Sequence, residues 1–98
     1  MNNMPIAVVH NPAASRFEAT VDGHLCVAMY RVYGRLMMLN HTGVPHALRG
    51  RGIAAALIAA ALDHARTKGL KVRPDCSYAE TYMRRHPETL DLLHDRDH

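Results

Sequence analysis

The chain has no Trp, one Phe and only two Cys among its 98 residues, and each shortage closes off a class of protein. Cys26 and Cys76 make neither a disulfide framework nor a metal motif, so the expected compartment is a reducing cytoplasm. With one Phe and four Tyr there is little to stack on nucleic-acid bases, and the basic residues are scattered rather than gathered in a stripe. No apolar run reaches the length of a membrane span; the longest, Ile53 to Leu62, reads as the core of a helix. Met1-Asn2-Asn3-Met4-Pro5 lacks the basic and apolar regions of a signal peptide. None of the eight His has metal-ligand spacing, so no metal is expected. Repeats, linkers and low-complexity segments are absent as well. Residues 1–5 and the charged tail His94-Asp95-Arg96-Asp97-His98 are expected to fray.

What is present describes one globular domain over 1–98: hydrophobic residues make up 48% and charged residues 21%. The net charge of +3 and the pI of about 9.2 suit an anionic ligand.

The patterning predicts an α+β fold. Ile6-Ala7-Val8-Val9, stopped by Asn11-Pro12, reads as a first or edge strand. Phe17, Ala19 and Val21 alternate with Arg16, Glu18 and Thr20, the pattern of a strand buried on one face. Asp22-Gly23 is a two-residue hairpin signal. His24 to Tyr33 is apolar at both parities, which predicts a central strand covered on both faces. Gly34 turns the chain, and Arg35 to Val44 returns as a further strand whose later half carries Asn40, His41 and Thr42. Polar residues there break the strand pattern and mark a site.

A helix from about Gly52 to Lys68 follows, with Ile53, Leu57, Ile58, Ala61, Leu62 and Ala65 on one face and Gly69 as its cap. Leu70 to Arg73 is then a short strand, and the strand-helix-strand spacing makes it parallel to the one ending at Val44. Pro74 ends it. Ser77 with Glu80 reads as a capping box opening a helix to about Arg85. His86-Pro87-Glu88 begins a short last helix.

The organising stretch is Arg49-Gly50-Arg51-Gly52-Ile53-Ala54, at the start of the long helix. A helix start presents unpaired backbone N–H groups and the positive end of the helix dipole. Two glycines let a ligand approach the backbone, and two arginines add positive charge. This is a phosphate cradle. The Walker pattern fails, because no Lys-Ser/Thr pair follows the second glycine. The dinucleotide fingerprint is met by Gly50, Gly52 and Ala55, with Asp75 at the ribose spacing, but five residues separate Val44 from its first glycine. A third template, Arg/Gln-x-x-Gly-x-Gly/Ala, is matched by Arg49, Gly52 and Ala54.

That template resembles the pyrophosphate signature of the GNAT superfamily of acyl-coenzyme-A-dependent N-acetyltransferases. The likeness extends over roughly residues 6 to 93, through Arg16-Phe17-Glu18-Ala19, Asp22-Gly23, His41-Thr42-Gly43-Val44-Pro45 and Pro74-Asp75-Cys76-Ser77-Tyr78, which resemble a compact single-domain branch. It implies a mixed sheet, antiparallel strands first, in which two parallel strands splay beyond Val44 to take pantetheine. It implies acetyl-CoA as cofactor, held by Arg49, Gly50, Arg51, Gly52, Ile53 and Ala54, with the N–H of Val44 polarising the thioester carbonyl.

Three residues are candidates for chemistry. Cys76 ends a strand and precedes a helix, where a thiolate is favoured, so it is a candidate nucleophile or proton carrier beside the expected thioester. Its bland reading is a small buried residue. His41, on the strand edging the slot, has the titration range of a general base that collects the amine proton. Its bland reading is a histidine held by neighbouring backbone. Larger members of the superfamily place a tyrosine acid in the helix after the second parallel strand. Counted from Cys76, that place falls on Met83, with Tyr82 beside it, so Tyr82 takes the role by a register difference or Cys76 handles the leaving group. Tyr78 is a further candidate, and Cys26 reads as core. Larger members also build an acceptor lid between their first two strands, where this chain has only Asn11 to Ser15. An open acceptor side suits a protein or peptide lysine, a polyamine or another small amine, or a groove completed by a partner. The competing readings are an N-acetyltransferase, a non-catalytic acyl-CoA-binding module and a small basic nucleic-acid-binding protein.

Overall fold

A computed structural model describes residues 6–94. The expected fraying of 1–5 and of 95–98 lies outside the described residues, whereas His94, expected to fray with the tail, donates its N–H to the Val72 carbonyl at 2.8 Å. The chain runs through β1 (Val9–Asn11), a 3₁₀ turn (Pro12–Ala14), β2 (Arg16–Val21), β3 (His24–Tyr33), β4 (Leu36–Gly43), a second 3₁₀ turn (His46–Leu48) and α1 (Ile53–Lys68). It continues through β5 (Lys71–Pro74), α2 (Ser77–Arg85) and a last 3₁₀ segment (Pro87–Leu92). The strands form one sheet in the order β1-β2-β3-β4-β5, antiparallel up to β4, with β5 parallel to β4. A parallel neighbour needs a crossover connection, and α1 supplies it.

Local chemistry sets these elements. Asp22 and Gly23 sit at φ 51° and 78°, the left-handed pair that closes a two-residue hairpin. The register that follows places Phe17 opposite Ala28 and Ala19 opposite Cys26, all buried. On α1 the expected stripe is buried, with Ala54 added to it. Gly69, at φ 70°, returns its N–H to the carbonyls of Ala65 and Arg66 and ends the helix. Helix and strand side chains meet in one core around Met37, Leu39, Ile53, Leu57, Ile58 and Met83.

Three expectations are corrected. The first strand is Val9–Asn11, not Ile6 to Val9: Asn11 folds over the Pro12–Ala14 turn, accepting from the Ala14 N–H, and its side-chain amide donates to Glu18 across the ladder. Ile6 and Val8 pack against the core without pairing. Second, β3 is covered on one face only. Cys26, Ala28 and Tyr30 face the helices and are buried, whereas Leu25, Arg31 and Tyr33, on the other face, are exposed and Val27 and Met29 are half-buried. Apolar residues at both parities here reflect an uncovered sheet face, not a second helical layer. Third, the capping box at Ser77 does not form. The N–H groups of Asp75 and Cys76 both still bond the Leu39 carbonyl, at 2.9 and 3.1 Å, which holds Cys76 extended (φ −103°, ψ 151°) as the N-cap and leaves Ser77 as the first helical residue.

Candidate active site

β4 and β5 pair only from Leu36↔Lys71 to Leu39↔Pro74. Beyond that point each strand departs for its own reason. Along β4 the partner of Met29 is His41 and the partner of Tyr30 is Leu39, so Asn40 is an extra residue, a β-bulge that bends the strand. β5 meets Pro74 and then turns into α2. Parallel pairing therefore stops at Leu39, short of the expected Val44, because the bulge bends β4 away. The N–H groups of Asp75 and Cys76 still reach the Leu39 carbonyl; beyond this splay point two side chains face each other. Thr42 Oγ1 lies 3.3 Å from Cys76 Sγ.

The cradle lies at the same end of the sheet. The His46–Leu48 turn drives Leu48 into the core and leaves Arg49 extended at its end. Gly50 (φ 83°) and Gly52 (φ 79°) then adopt left-handed conformations that L side chains rarely tolerate. Gly52 is the N-cap of α1, and no side chain caps that end. The first helical bond runs from the Ala56 N–H to the Gly52 carbonyl (3.1 Å), so the N–H groups of Ile53, Ala54 and Ala55 point out of the helix start. A Cβ built on Gly50 or Gly52 meets nothing within 4 Å, so the space beside both glycines is open. A phosphate group fits this end: unpaired donors, the positive helix pole and room for oxygen atoms converge. Arg51 reaches across to the β2–β3 turn, where its Nη1 lies 2.8 Å from Asp22 Oδ2 in an exposed pair. Arg49 is exposed and makes no salt bridge among the described residues.

The other sequence-derived candidates do not all meet. Thr42 and Cys76 meet on the helix side of the splay; Thr42 pairs with buried Ala28. His41, one residue earlier, projects from the opposite face, in register with Met29, and is exposed. Its ring lies along Gly43, where an added Cβ would come within 3.3 Å of Nε2. Val44, just past β4, is half-buried against the core. Tyr82 lies six residues along α2 from Cys76, about 9 Å of helix rise, and stacks on His86 with ring centroids 3.9 Å apart. It lines a cavity of about 160 Å³ with Ala59, Leu62, Asp63 and Glu88, between the two helices rather than at the splay. Burial, then the carboxylates of Glu88 and Asp63, push its phenol up. Met83 is 1% exposed, part of the core. Tyr78, in the first turn of α2, is 48% exposed and is the tyrosine of this helix closest in sequence to Cys76. Burial pushes the Cys26 thiol up and keeps it protonated, as befits a core residue.

Sequence reasoning had Thr42 only as part of a polar break, and it missed the bulge. The signal was a change of parity. Met37 and Leu39 face inward at odd positions and Thr42 at an even one, but a polar Thr does not announce an inward position. A larger pocket, about 690 Å³, lies at the outer edge of β5 between Val72, Met83, Leu90 and Leu93. Pro74, Asp75 and Glu80, close to Cys76 in the chain, line its other end. Its rim runs to His94, and residues 95–98 beyond that lie outside the described residues.

This geometry has counterparts among known proteins. Residues 16–92 match the family model described as GCN5-related N-acetyl-transferase. Protein NATD1 of Gallus gallus is 38% identical over 93 residues, covering 92% of this chain and 84% of the relative. Protein NATD1 of Homo sapiens is 38% identical over 86 residues, covering 85% and 76%. The NMR solution structure of a GCN5-like protein from Staphylococcus aureus superposes with a TM-score of 0.73 at 26% identity, over 95% of this chain and 92% of that one. The mixed five-stranded sheet with helices packed on it is thus a fold shared with that structure, and the chain belongs to the GCN5-related N-acetyltransferase family.

Proposed function

We propose that this chain is an acetyl-CoA-dependent N-acetyltransferase that acts on a primary amine. The observation that carries the reading is the pairing of an uncapped, glycine-flanked helix start with a strand splay lined by a thiol. When bound, acetyl-CoA supplies the thioester. The amides of Ile53 and Ala54, with open space beside Gly50 and Gly52, hold the pyrophosphate, and Arg49 adds charge. Arg51 contributes once it leaves Asp22.

At the splay, the N–H of Val44 stabilises the negative charge that develops on the carbonyl oxygen. Cys76 would take up the acetyl group: its sulfur–carbon bond would form as the acetyl carbon–sulfur bond to coenzyme A breaks, and the Cys76 thiol proton would go to the departing thiolate. The acetyl group then passes to the amine nitrogen, the Cys76 carbon–sulfur bond breaks, and His41 receives the amine proton before it returns to the Cys76 sulfur. His41 serves from the helix-free face, so the amine arrives from that side. Tyr82 is left out of this sequence because it is packed between the helices.

The uncovered face suits an amine carried on a flexible chain: a protein or peptide lysine, or a polyamine. Both thiols are unpaired, which supports a reducing compartment such as the cytoplasm. No helix among the described residues is long and apolar enough to cross a membrane.

A second reading, a non-catalytic acyl-CoA-binding module, draws on the buried Met83 at the place of the superfamily's tyrosine acid. The two separate in an assay for acetyl-CoA-dependent modification of an amine panel. Binding without modification of any amine selects the module, and amine-dependent modification selects the enzyme.

A further inference from the structure

Thr42 is a strand residue whose side chain reaches across the splay to another element, and the group it meets is the Cys76 sulfur, 3.3 Å away. Both ends of the contact are fixed. The bulge at Asn40 turns Thr42 to the helix side, opposite Ala28, and Thr, branched at Cβ, has few rotamers on a strand. The Cys76 N–H bonds the Leu39 carbonyl at 3.1 Å, and its own carbonyl accepts from the Glu80 N–H at 3.1 Å as α2 begins. The sulfur therefore has little freedom except rotation about one side-chain bond, and the hydroxyl sits where it can set that rotation. A hydroxyl can donate to a thiolate or accept from a thiol, and only the first is charge-assisted.

We propose that Thr42 is a positioning residue for Cys76: its hydroxyl donates to the sulfur in the thiolate form and holds it toward the mouth of the splay. The proposal rests on the reading that Cys76 carries the acetyl group, but it is tested without turnover. Wild type, Thr42→Val and Thr42→Ser are treated with iodoacetamide across a pH series in the absence of acetyl-CoA, with modification at Cys76 followed by peptide mass. Cys26, buried in the core, is the internal control.

Thr42→Val keeps the branched shape and removes the donor. The expected result is a pH–rate profile displaced to higher pH, with alkylation about tenfold slower at pH 7, the scale of one hydrogen bond to a charged group. Thr42→Ser should restore the wild-type profile. Circular dichroism and thermal melting confirm that each variant is folded. Superimposable profiles for wild type and Thr42→Val overturn the proposal, as does a faster reaction in Thr42→Val, which would mean that Thr42 merely shields the sulfur. Failure of the catalytic reading has a different signature: Thr42→Val shifts the alkylation profile, yet wild type transfers no acetyl group.

Discussion

His41 and Thr42 are adjacent in β4 but project from opposite faces of the sheet, His41 beside Met29 on the uncovered face and Thr42 beside Ala28, touching Cys76. The alternation of a single strand thus divides the site. A thiol and its hydroxyl partner face the helix side, and an imidazole faces the open side. The proposed reaction needs an acyl donor and an acyl acceptor brought from the two sides to meet where β4 and β5 part, and each face can be tested separately.

Replacing His41 with Ala should lower turnover and flatten its pH dependence while leaving coenzyme A affinity within about twofold of wild type. Steady-state rates across a pH series, with a calorimetric titration beside them, check both halves. Loss of cofactor affinity along with the rate would instead assign His41 to structure.

Arg49 and Arg51, both within the glycine-rich stretch, should separate in function. Arg51 is engaged with Asp22, whereas Arg49 makes no such pair among the described residues. Arg49→Ala should weaken coenzyme A binding about tenfold at low ionic strength, and less as salt rises. Arg51→Ala should cost less, and Asp22→Asn, which releases Arg51, should tighten binding while changing stability by less than about 1 kcal/mol. Titrations at two salt concentrations measure all three.

Gly52→Val should abolish binding, but at a cost to the fold that the sequence motif did not show. Gly52 is in the left-handed region, which costs an L residue about 1–2 kcal/mol. A lowered melting temperature should therefore accompany the lost affinity. Affinity unchanged in the folded variant would remove the cradle assignment.

Stability should also depend on pH through His64. Burial, then the charges of His10 and Lys68, lower its pKa from the ordinary histidine value of 6.5. It packs in a ring cluster with His10, 4.5 Å between centroids, and His10 in turn bonds the Tyr30 hydroxyl at 2.6 Å. A depressed folded pKa means that the unfolded chain binds the proton more readily. This contribution is present above about pH 6.5 and is lost as pH falls toward the lower folded value. Melting temperature should fall on acidification through that window and fall less in His64→Gln. Glu18, held down by its bonds to Arg16 and Asn11, acts in a separate and more acidic window, below its ordinary value of 4.5.

Much of this was legible in the sequence because it rests on local rules. Asp22-Gly23 specifies its turn, Gly69 its cap, and the apolar stripe of α1 its buried face. The cradle was legible because glycines at 50 and 52 have a backbone reason to be there. What escaped depends on partners distant in sequence. The N-cap moved from Ser77 to Cys76 because Leu39, far back in β4, accepts two bonds. The bulge at Asn40 follows from its register with β3, and it is the bulge that turns Thr42, rather than His41, toward the helices. Tyr82 resembled a proton donor by position, but its ring is taken up by His86.

Whether Cys76 carries the acetyl group is checked by intact mass. Incubation with acetyl-CoA and no amine should add one acetyl group to wild type and none to Cys76→Ser, while Cys26→Ser behaves as wild type. No adduct on wild type, with turnover retained in Cys76→Ser, would mean direct transfer.

The central claim is that this site moves an acetyl group from acetyl-CoA to an amine, and the release of free coenzyme A thiol tests it most directly. Thiol is followed over time with acetyl-CoA alone, with acetyl-CoA plus a lysine peptide or polyamine, and with the Gly52→Val variant. Release that continues through many turnovers only when amine is present, and that is absent from Gly52→Val, is the expected result. Tight acetyl-CoA binding with no amine-dependent release, across peptides and polyamines, would contradict the claim.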